Sequence, residues 1–213
     1  MNIAQARREY TKTRLSKKSV DKDPIAQVNK WMKEAFQANC LEPTAMTVST
    51  VSTQNTPSSR VVLLKGIEDG KFVFFTNYES RKGKQLTKNN SICALFFWSE
   101  LERQINIEGT VEKLPPEASD TYFHTRPWKS RIGAIISPQS QPIASRSVIK
   151  KAFVLEAAKH ISESVPRPEH WGGYKIKPNR IEFWQGRPNR LHDRILFSQS
   201  AEADSWEINR LAP

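Results

Sequence analysis

Most signatures that announce a catalytic class are missing from this chain. It has no GxGxxG, no Walker loop, no HExxH, no GxSxG and no paired acidic motif. That argues against a nucleoside triphosphatase, a metalloprotease or a serine hydrolase, and leaves any difficult chemistry to a bound cofactor. The only cysteines, Cys40 and Cys93, stand far apart with no CxxC and no Cys/His cluster, so neither a disulfide framework nor a metal site is expected. No apolar run approaches bilayer length, SICALFFW (residues 91–98) being far too short, and no membrane association is expected. The N-terminus is basic but has no apolar stretch before a small-residue cleavage site, so the expected location is the cytoplasm. Repeats and low-complexity tracts are absent too.

What the chain has in excess is positive charge: 33 Lys and Arg against 22 Asp and Glu, a net +11 over 213 residues. Such a balance attracts anions, whether nucleic acid, an acidic membrane or phosphorylated small molecules, and no recognised nucleic-acid motif accompanies it. Residues 1–22 carry seven of these cations and few large apolar groups, which predicts a basic mobile arm ahead of a single domain over 23–213. Asp23-Pro24 reads as an N-cap followed by proline at the first helical position. Ile25, Val28, Trp31, Met32, Ala35 and Phe36 then recur at helical spacing, predicting a helix over 23–39.

From Thr44 the period shortens. TAMTVSTVS, RVVLLK, KFVFFT, SICALFFW and RQINIEGTVEKL are rich in β-branched and aromatic residues and are separated by turn signals. Glu68-Asp69-Gly70 marks a hairpin. In residues 103–111, Ile105, Ile107 and Val111 take one face of a strand, and Gln104, Asn106, Glu108 and Thr110 the other. Helical patterns return at 115–125 and at 147–162, where Val148, Ala152, Leu155 and Ala158 form an apolar stripe. YKIKPNRIEFWQ, RILFS and WEINRL supply further strands. The expected fold is mainly β with α, an antiparallel barrel of about six to eight strands with flanking helices.

Four basic clusters are candidates for chemistry. Ser80-Arg81-Lys82 sits where a strand gives way to a helix, so free N–H groups and two cations would suit a phosphate, although a capped, solvated helix start has the same look. Arg60 and Lys65 bracket a strand, on opposite faces if it is ideal. They fit two phosphates better than one, or serve as edge-strand charges. Tyr122, Arg126 and Ser130 form an i, i+4, i+8 stripe if Pro127 leaves the helix continuous; otherwise they are surface groups. Beyond a Gly-Arg-Pro-Asn turn, Arg190, His192 and Arg194 alternate onto one strand face, a grouping that calls for an anionic or electron-rich partner.

RREYTK, EPTAM, RVVLLK, FFTNYESRKGKQL, LERQINIEG, YFHTRPWKSRIGA, SPQSQPI, HWGGYKI, IEFWQG, NRLHDR and WEINRLAP together resemble, in order and over almost the whole chain, the pyridoxine/pyridoxamine 5′-phosphate oxidases. The resemblance implies an FMN-binding split β-barrel, a homodimer with two FMN sites at its interface, and no nucleic-acid or membrane partner. It implies conversion of phosphorylated B6 vitamers to pyridoxal 5′-phosphate with O2 as acceptor and H2O2 as product. By it, Arg60, Val61, Val62, Leu63, Leu64, Lys65, Phe75, Thr76, Arg81 and Lys82 hold FMN from one chain. Gln104, Gln139, Ser140, Trp184 and Arg194 complete the site, largely from the other. Substrate is held by Lys65, Tyr122, Arg126 and Ser130 at its phosphate and by Arg190 and His192, the catalytic pair, at its ring, with Arg7 and Tyr10 in a segment able to fold over it. Phe75 departs from the family's common tyrosine. A related oxidase acting on another aromatic such as a phenazine precursor, or a flavin or pyridoxal phosphate carrier without turnover, would share much of this pattern.

Overall fold

A computed structural model describes residues 9–161, 164–200 and 205–213. Its elements run α1 (Pro24–Gln37), β1 (Ala45–Val51), β2 (Pro57–Leu63), β3 (Gly66–Glu68), β4 (Lys71–Asn77), α2 (Arg81–Lys88), β5 (Ser91–Trp98), β6 (Arg103–Lys113), α3 (Pro116–Thr125), α4 (Trp128–Ile136), α5 (Arg146–Lys159), β7 (Trp171–Gln185), β8 (Asp193–Gln199) and β9 (Trp206–Leu211). The strands form one antiparallel sheet in the order β2-β1-β5-β6-β7-β4-β3, with β8 on β7 and β9 on β8. This is the split barrel, with nine strands rather than six to eight. The short β3 was not separable in sequence from the RVVLLK segment, whose strand ends at Leu63.

Local chemistry explains several boundaries. The Asp23 carboxylate accepts the Ile25 N–H at 2.9 Å, and Pro24 opens α1. Asp69 and Gly70 both adopt positive φ (48° and 73°), which closes the tight β3–β4 hairpin. Along β6 the expected alternation holds, with Ile105, Ile107 and Val111 buried.

The sheet splits at β7. One side of this 15-residue strand pairs with β6 throughout Tyr174–Gln185; the other pairs with β4 up to Ile176 and with β8 from Arg180. Pro178, which has no N–H to donate, sits where the partner changes, and the register against β6 skips Asn179. The skip reverses the phase of the strand. Core-facing residues are Tyr174 and Ile176 before it and Ile181 and Phe183 after it. Across the bulge, an alanine Cβ at Gly109 would lie 2.1 Å from the Lys177 carbonyl oxygen, so β6 needs glycine there.

The core fills the curl of the sheet, and α1 seals it: Trp31 meets Phe183 edge-on at 5.2 Å, and Phe183 meets Phe197 at 5.6 Å. Arg103 lies over Trp31 at 4.5 Å while pairing with Glu34 and donating to Gln185 Oε1. Residues 9–22 lie against the body from Tyr10 onward, with Leu15 and Val20 buried in the core cluster. Two expectations change. Tyr122, Arg126 and Ser130 do not share a continuous helix, because α3 stops at Thr125 and α4 starts after Pro127. The stripe on α5 is not its packing face: among the described residues nothing covers Val148 and Leu155, whereas Phe153 and Ala157 pack, half-buried, against the cluster of Phe123, Ile132 and Trp171.

Phe183→Ala removes a fully buried ring between Trp31 and Phe197 and is expected to cost about 3–5 kcal/mol. Phe36→Ala, on the exposed face of α1, should cost less than about 0.5 kcal/mol. Urea midpoints at unchanged slope check both; equal losses would contradict this core.

Candidate active site

The first cluster is built where β4 runs into α2. Ser80 caps the helix, its Oγ accepting the Gly83 N–H at 3.3 Å and donating to the Asn77 carbonyl at 2.7 Å. A Cβ on Gly83 would strike the Tyr78 carbonyl at 2.1 Å, so the first turn of α2 backs directly onto the chain and the direction of its side chains is fixed. Lys82 points inward and is only 7% exposed. Its Nζ donates to Thr76 Oγ1 (2.6 Å), Gln139 Oε1 (3.1 Å) and Ser80 Oγ (3.4 Å). All three are neutral oxygens. Burial, reinforced by the Arg60 charge, pushes the ammonium from the usual 10.5 down to about 8. Arg60 reaches across the sheet to Thr50 Oγ1 (2.7 Å), Ser58 Oγ (2.8 Å) and the Val48 carbonyl (3.3 Å). Burial and then Arg81 lower its pKa as well.

Facing this cluster, Tyr122 stacks on Phe75 at 3.8 Å, and Trp171 continues the slab at 5.4 Å from Phe75. The Arg126 guanidinium lies 4.5 Å over the Trp171 ring, its pKa lowered by burial, and its Nη1 is buried without a hydrogen-bond partner. The two walls enclose a cleft of about 890 Å³ whose lining among the described residues includes Arg60, Lys65, Arg81, Lys82 and Arg126, five cations, and no carboxylate. Val61, Val62, Leu63, Thr76, Ser130 and Ser140 line it too, so the two helical pieces either side of Pro127 still present Tyr122, Arg126 and Ser130 to one space. Arg60 and Lys65 also reach it together, because the strand ends between them. Leu64 does not: its side chain is buried in the core and its N–H bonds the Thr44 carbonyl. Gln139 and Ser140, grouped in sequence largely with the second chain's set, lie in this cleft beside Lys82.

A second group forms at the far end of β7. Gln104, Trp184 and Arg194 line a separate groove of about 600 Å³ that shares only Ser59 with the first. Arg194 is held by both Glu182 oxygens at 2.7 and 3.0 Å. His192 packs 4.7 Å from Trp184, and its Nδ1 accepts the Arg187 N–H at 3.1 Å, which leaves the neutral ring's proton on Nε2. Burial and then the Arg190 charge lower the His192 pKa, so the ring is neutral at pH 7. The alternating strand expected for Arg190, His192 and Arg194 is not there. Residues 188–190 form a short 3-10 turn, Asn189 and Arg190 hold φ of 55° and 61°, and β8 begins at Asp193. Arg190 is therefore displayed by a left-handed corner. Tyr10 stands 5.8 Å from His192; Arg7 lies outside the described residues.

The sequence reading missed the groups that support these: Thr50 and Ser58 under Arg60, Asn77 at the turn, and Trp171 under Arg126. Two of them had a signal, Trp171 as the aromatic of HWGGYKI and Asn77 within FFTNYESRKGKQL.

A split barrel with a cation-rich cleft is electrostatically suited to phosphorylated or similarly anionic ligands. Comparison with known proteins narrows the class. The family described as pyridoxamine 5′-phosphate oxidase matches residues 32–158, and the pyridoxine 5′-phosphate oxidase C-terminal dimerisation region matches 171–213. The pyridoxine/pyridoxamine 5′-phosphate oxidase of Bacteroides thetaiotaomicron is 58% identical over 212 residues, spanning 100% of this chain and 99% of its own. That of Porphyromonas gingivalis is 50% identical over 213 residues, with the same coverage. PhzG from Burkholderia lata 383, solved in complex with tetrahydrophenazine-1-carboxylic acid, superimposes with a TM-score of 0.88 at 27% identity, over 95% of this chain and 100% of that one. An FMN-binding protein from Nostoc punctiforme shares the fold at a TM-score of 0.66 and 13% identity, over 89% and 95%. The chain belongs to the pyridoxine/pyridoxamine 5′-phosphate oxidase family, and so to the oxidoreductases.

Lys82 gives a pH signature. Its folded pKa lies below its unfolded one, so between about pH 8 and 10.5 the unfolded chain binds more protons and stability rises with pH. The ligand-free protein should therefore gain melting temperature relative to Lys82→Met between pH 8 and 10. A flat difference would show that the ammonium is not desolvated.

Proposed function

We propose that this chain, as a homodimer, binds FMN in the first cleft and oxidises C4′ of pyridoxine or pyridoxamine 5′-phosphate. Pyridoxine phosphate and O2 give pyridoxal phosphate and H2O2; the amine substrate also consumes water and releases ammonia. The observation that carries the reading is the carboxylate-free set of five cations with the unpartnered Arg126 Nη1 among them. Lys82 is buried and Arg60 and Arg126 are partly so; cations desolvated without counter-charge are costly, and phosphate dianions supply what they lack.

The residues present fit FMN. Arg60, Arg81 and Lys82, with Thr76, would take its phosphate, and the exposed edge strand β2 offers backbone from Val61 to Leu63 beside it. Flavin supplies the electron acceptor for the C4′ carbon when bound. Lys65, Tyr122, Arg126 and Ser130 hold the vitamer phosphate. Arg190 and His192 orient the ring, His192 as a donor from Nε2 rather than as a base. Gln104, Trp184 and Arg194 close the flavin site from the second subunit.

The two-chain arrangement has geometric support. Trp171, in the first cleft, and Trp184, in the second group, lie at opposite ends of β7, about 40 Å apart along a strand rising ~3.3 Å per residue. A two-fold partner can bring one end of β7 to the other end of its twin, and residues 171–213, which begin with β7, match a dimerisation region. The likeness to PhzG favours a second reading, in which Arg126 meets the carboxylate of a larger ring system.

The Arg81→Ala, Lys82→Ala double variant should lose FMN affinity by at least about tenfold, and Arg190→Ala should lose turnover while staying yellow. Co-expressed, the two should regain about a quarter of wild-type activity, because about half the dimers are mixed and each holds one undamaged site. Assay of pyridoxal phosphate and peroxide, formed in equal amounts, reads the result. No recovery would place the site within one chain; turnover of a carboxylated tricycle but of neither vitamer would select the second reading.

A further inference from the structure

We propose that Glu102 and Gly186 are positioning residues for the Arg190–His192 end of the site. Together they hold residues 10–13 so that the Tyr10 ring stays packed against Trp184 and His192. The inference rests on the role given above to His192.

Glu102 is an acid with 2% exposure in the turn between β5 and β6, at a left-handed φ of 56°. Its Oε2 accepts two successive backbone N–H groups of the N-terminal segment, Thr11 at 2.9 Å and Lys12 at 3.1 Å. Its carbonyl meanwhile accepts Gly186 N–H at 2.7 Å and Gln185 Nε2 at 3.1 Å. One residue therefore ties the segment to the corner that follows β7, through side chain on one side and main chain on the other. Charge-assisted bonds to a buried carboxylate are about twice as strong as neutral ones.

Gly186 shows what the tie is for. The three atoms nearest to a Cβ built there are all from Tyr10: Cγ at 2.6 Å, Cβ at 2.7 Å and Cδ1 at 3.0 Å. The backbone at 186 is not in the left-handed region, so conformation does not call for glycine; the Tyr10 ring lying on the main chain does. From that seat Tyr10 meets Trp184 edge-on at 5.6 Å and His192 at 5.8 Å. Beyond it the segment is pinned by Thr13 Oγ1 to Gln185 Oε1 (2.6 Å), by Arg187 Nη1 to the Thr13 carbonyl (3.0 Å) and by Leu15 N–H to Asp193 Oδ2 (3.0 Å). Arg187 and Asp193 flank the His192 turn, so the segment and the turn share their anchors.

The test uses full-length dimeric holoprotein. Gly186→Ala evicts the ring, Glu102→Ala removes the tie, Glu102→Gln keeps a neutral acceptor in place, and Tyr10→Ala removes the ring itself. Trypsin cleavage after Lys12 and Arg14 should accelerate about tenfold in Gly186→Ala and Glu102→Ala and less in Glu102→Gln. kcat/KM for pyridoxine phosphate should fall about tenfold in the same order, with FMN retained. In the Tyr10→Ala background, Gly186→Ala should change kcat/KM no further, which a merely structural role for Gly186 would not produce. Unchanged cleavage rates, or the same additional loss in the Tyr10→Ala background, would overturn the proposal. Cleavage is read without substrate, so it separates failure of the tie from failure of the oxidase reading, which would appear as a wild-type protein without turnover.

Discussion

Strand β7 is the constraint on which the rest of this molecule hangs. It is too long for any one neighbour on its outer side, so β4 and β8 share that side in succession while β6 runs along the other. The sheet must split there and curl, and the curl makes the core in which Phe72, Phe96, Ile105, Phe183 and Phe197 are fully buried. The same strand carries Trp171 under Arg126 at its start and Trp184 beside His192 at its end. The strand that closes the core thus also carries a residue of each candidate group, one near either end.

The first cleft adds an electrostatic constraint. Arg60, Lys82 and Arg126 all have pKa values lowered chiefly by burial, and none is offset by an acid in the cleft. Hydroxyls, amides and an aromatic face hold these cations in place without neutralising them. Such an arrangement costs stability in the free protein and returns it when an anion enters, so binding and folding draw on the same interaction. By contrast Arg194 is paired with Glu182, and Arg187 and Arg210 share the single carboxylate of Asp193.

Much of this was legible in sequence where a local rule governs. Asp23-Pro24, Asp69-Gly70, Ser80 and the period-two pattern of β6 each depend on neighbours within a few residues, and each stands as expected. Expectations failed where one residue overrode a period: Pro127 divides the Tyr122–Ser130 stripe, and left-handed Asn189 and Arg190 replace an alternating strand. Others failed where the partner is remote in sequence, as with Gln139 settling beside Lys82 across 57 positions. The apolar stripe expected on α5 is not the face that packs, since Phe153 and Ala157 lie against the Phe123–Trp171 cluster while Val148 and Leu155 stay exposed. Fold class followed from patterns, whereas the association of basic clusters into one cleft required the resemblance or the coordinates.

The skipped residue in β7 behaves like a frameshift. Before Asn179 the even-numbered positions face the core, and after it the odd-numbered ones do. Deleting that one residue would remove the bulge yet keep every downstream side chain on its present face, because Pro178 and Arg180 would then follow one another opposite Gly109 and Glu108. A deletion elsewhere in the strand would instead carry Glu182 and Trp184 inward and Ile181 and Phe183 outward. Changing the identity of Asn179 would alter almost nothing, since its side chain is exposed. Along the regular stretches of this strand, then, length is under far stricter control than composition, and Asn179 marks the place where one residue can be lost without turning any other to the opposite face.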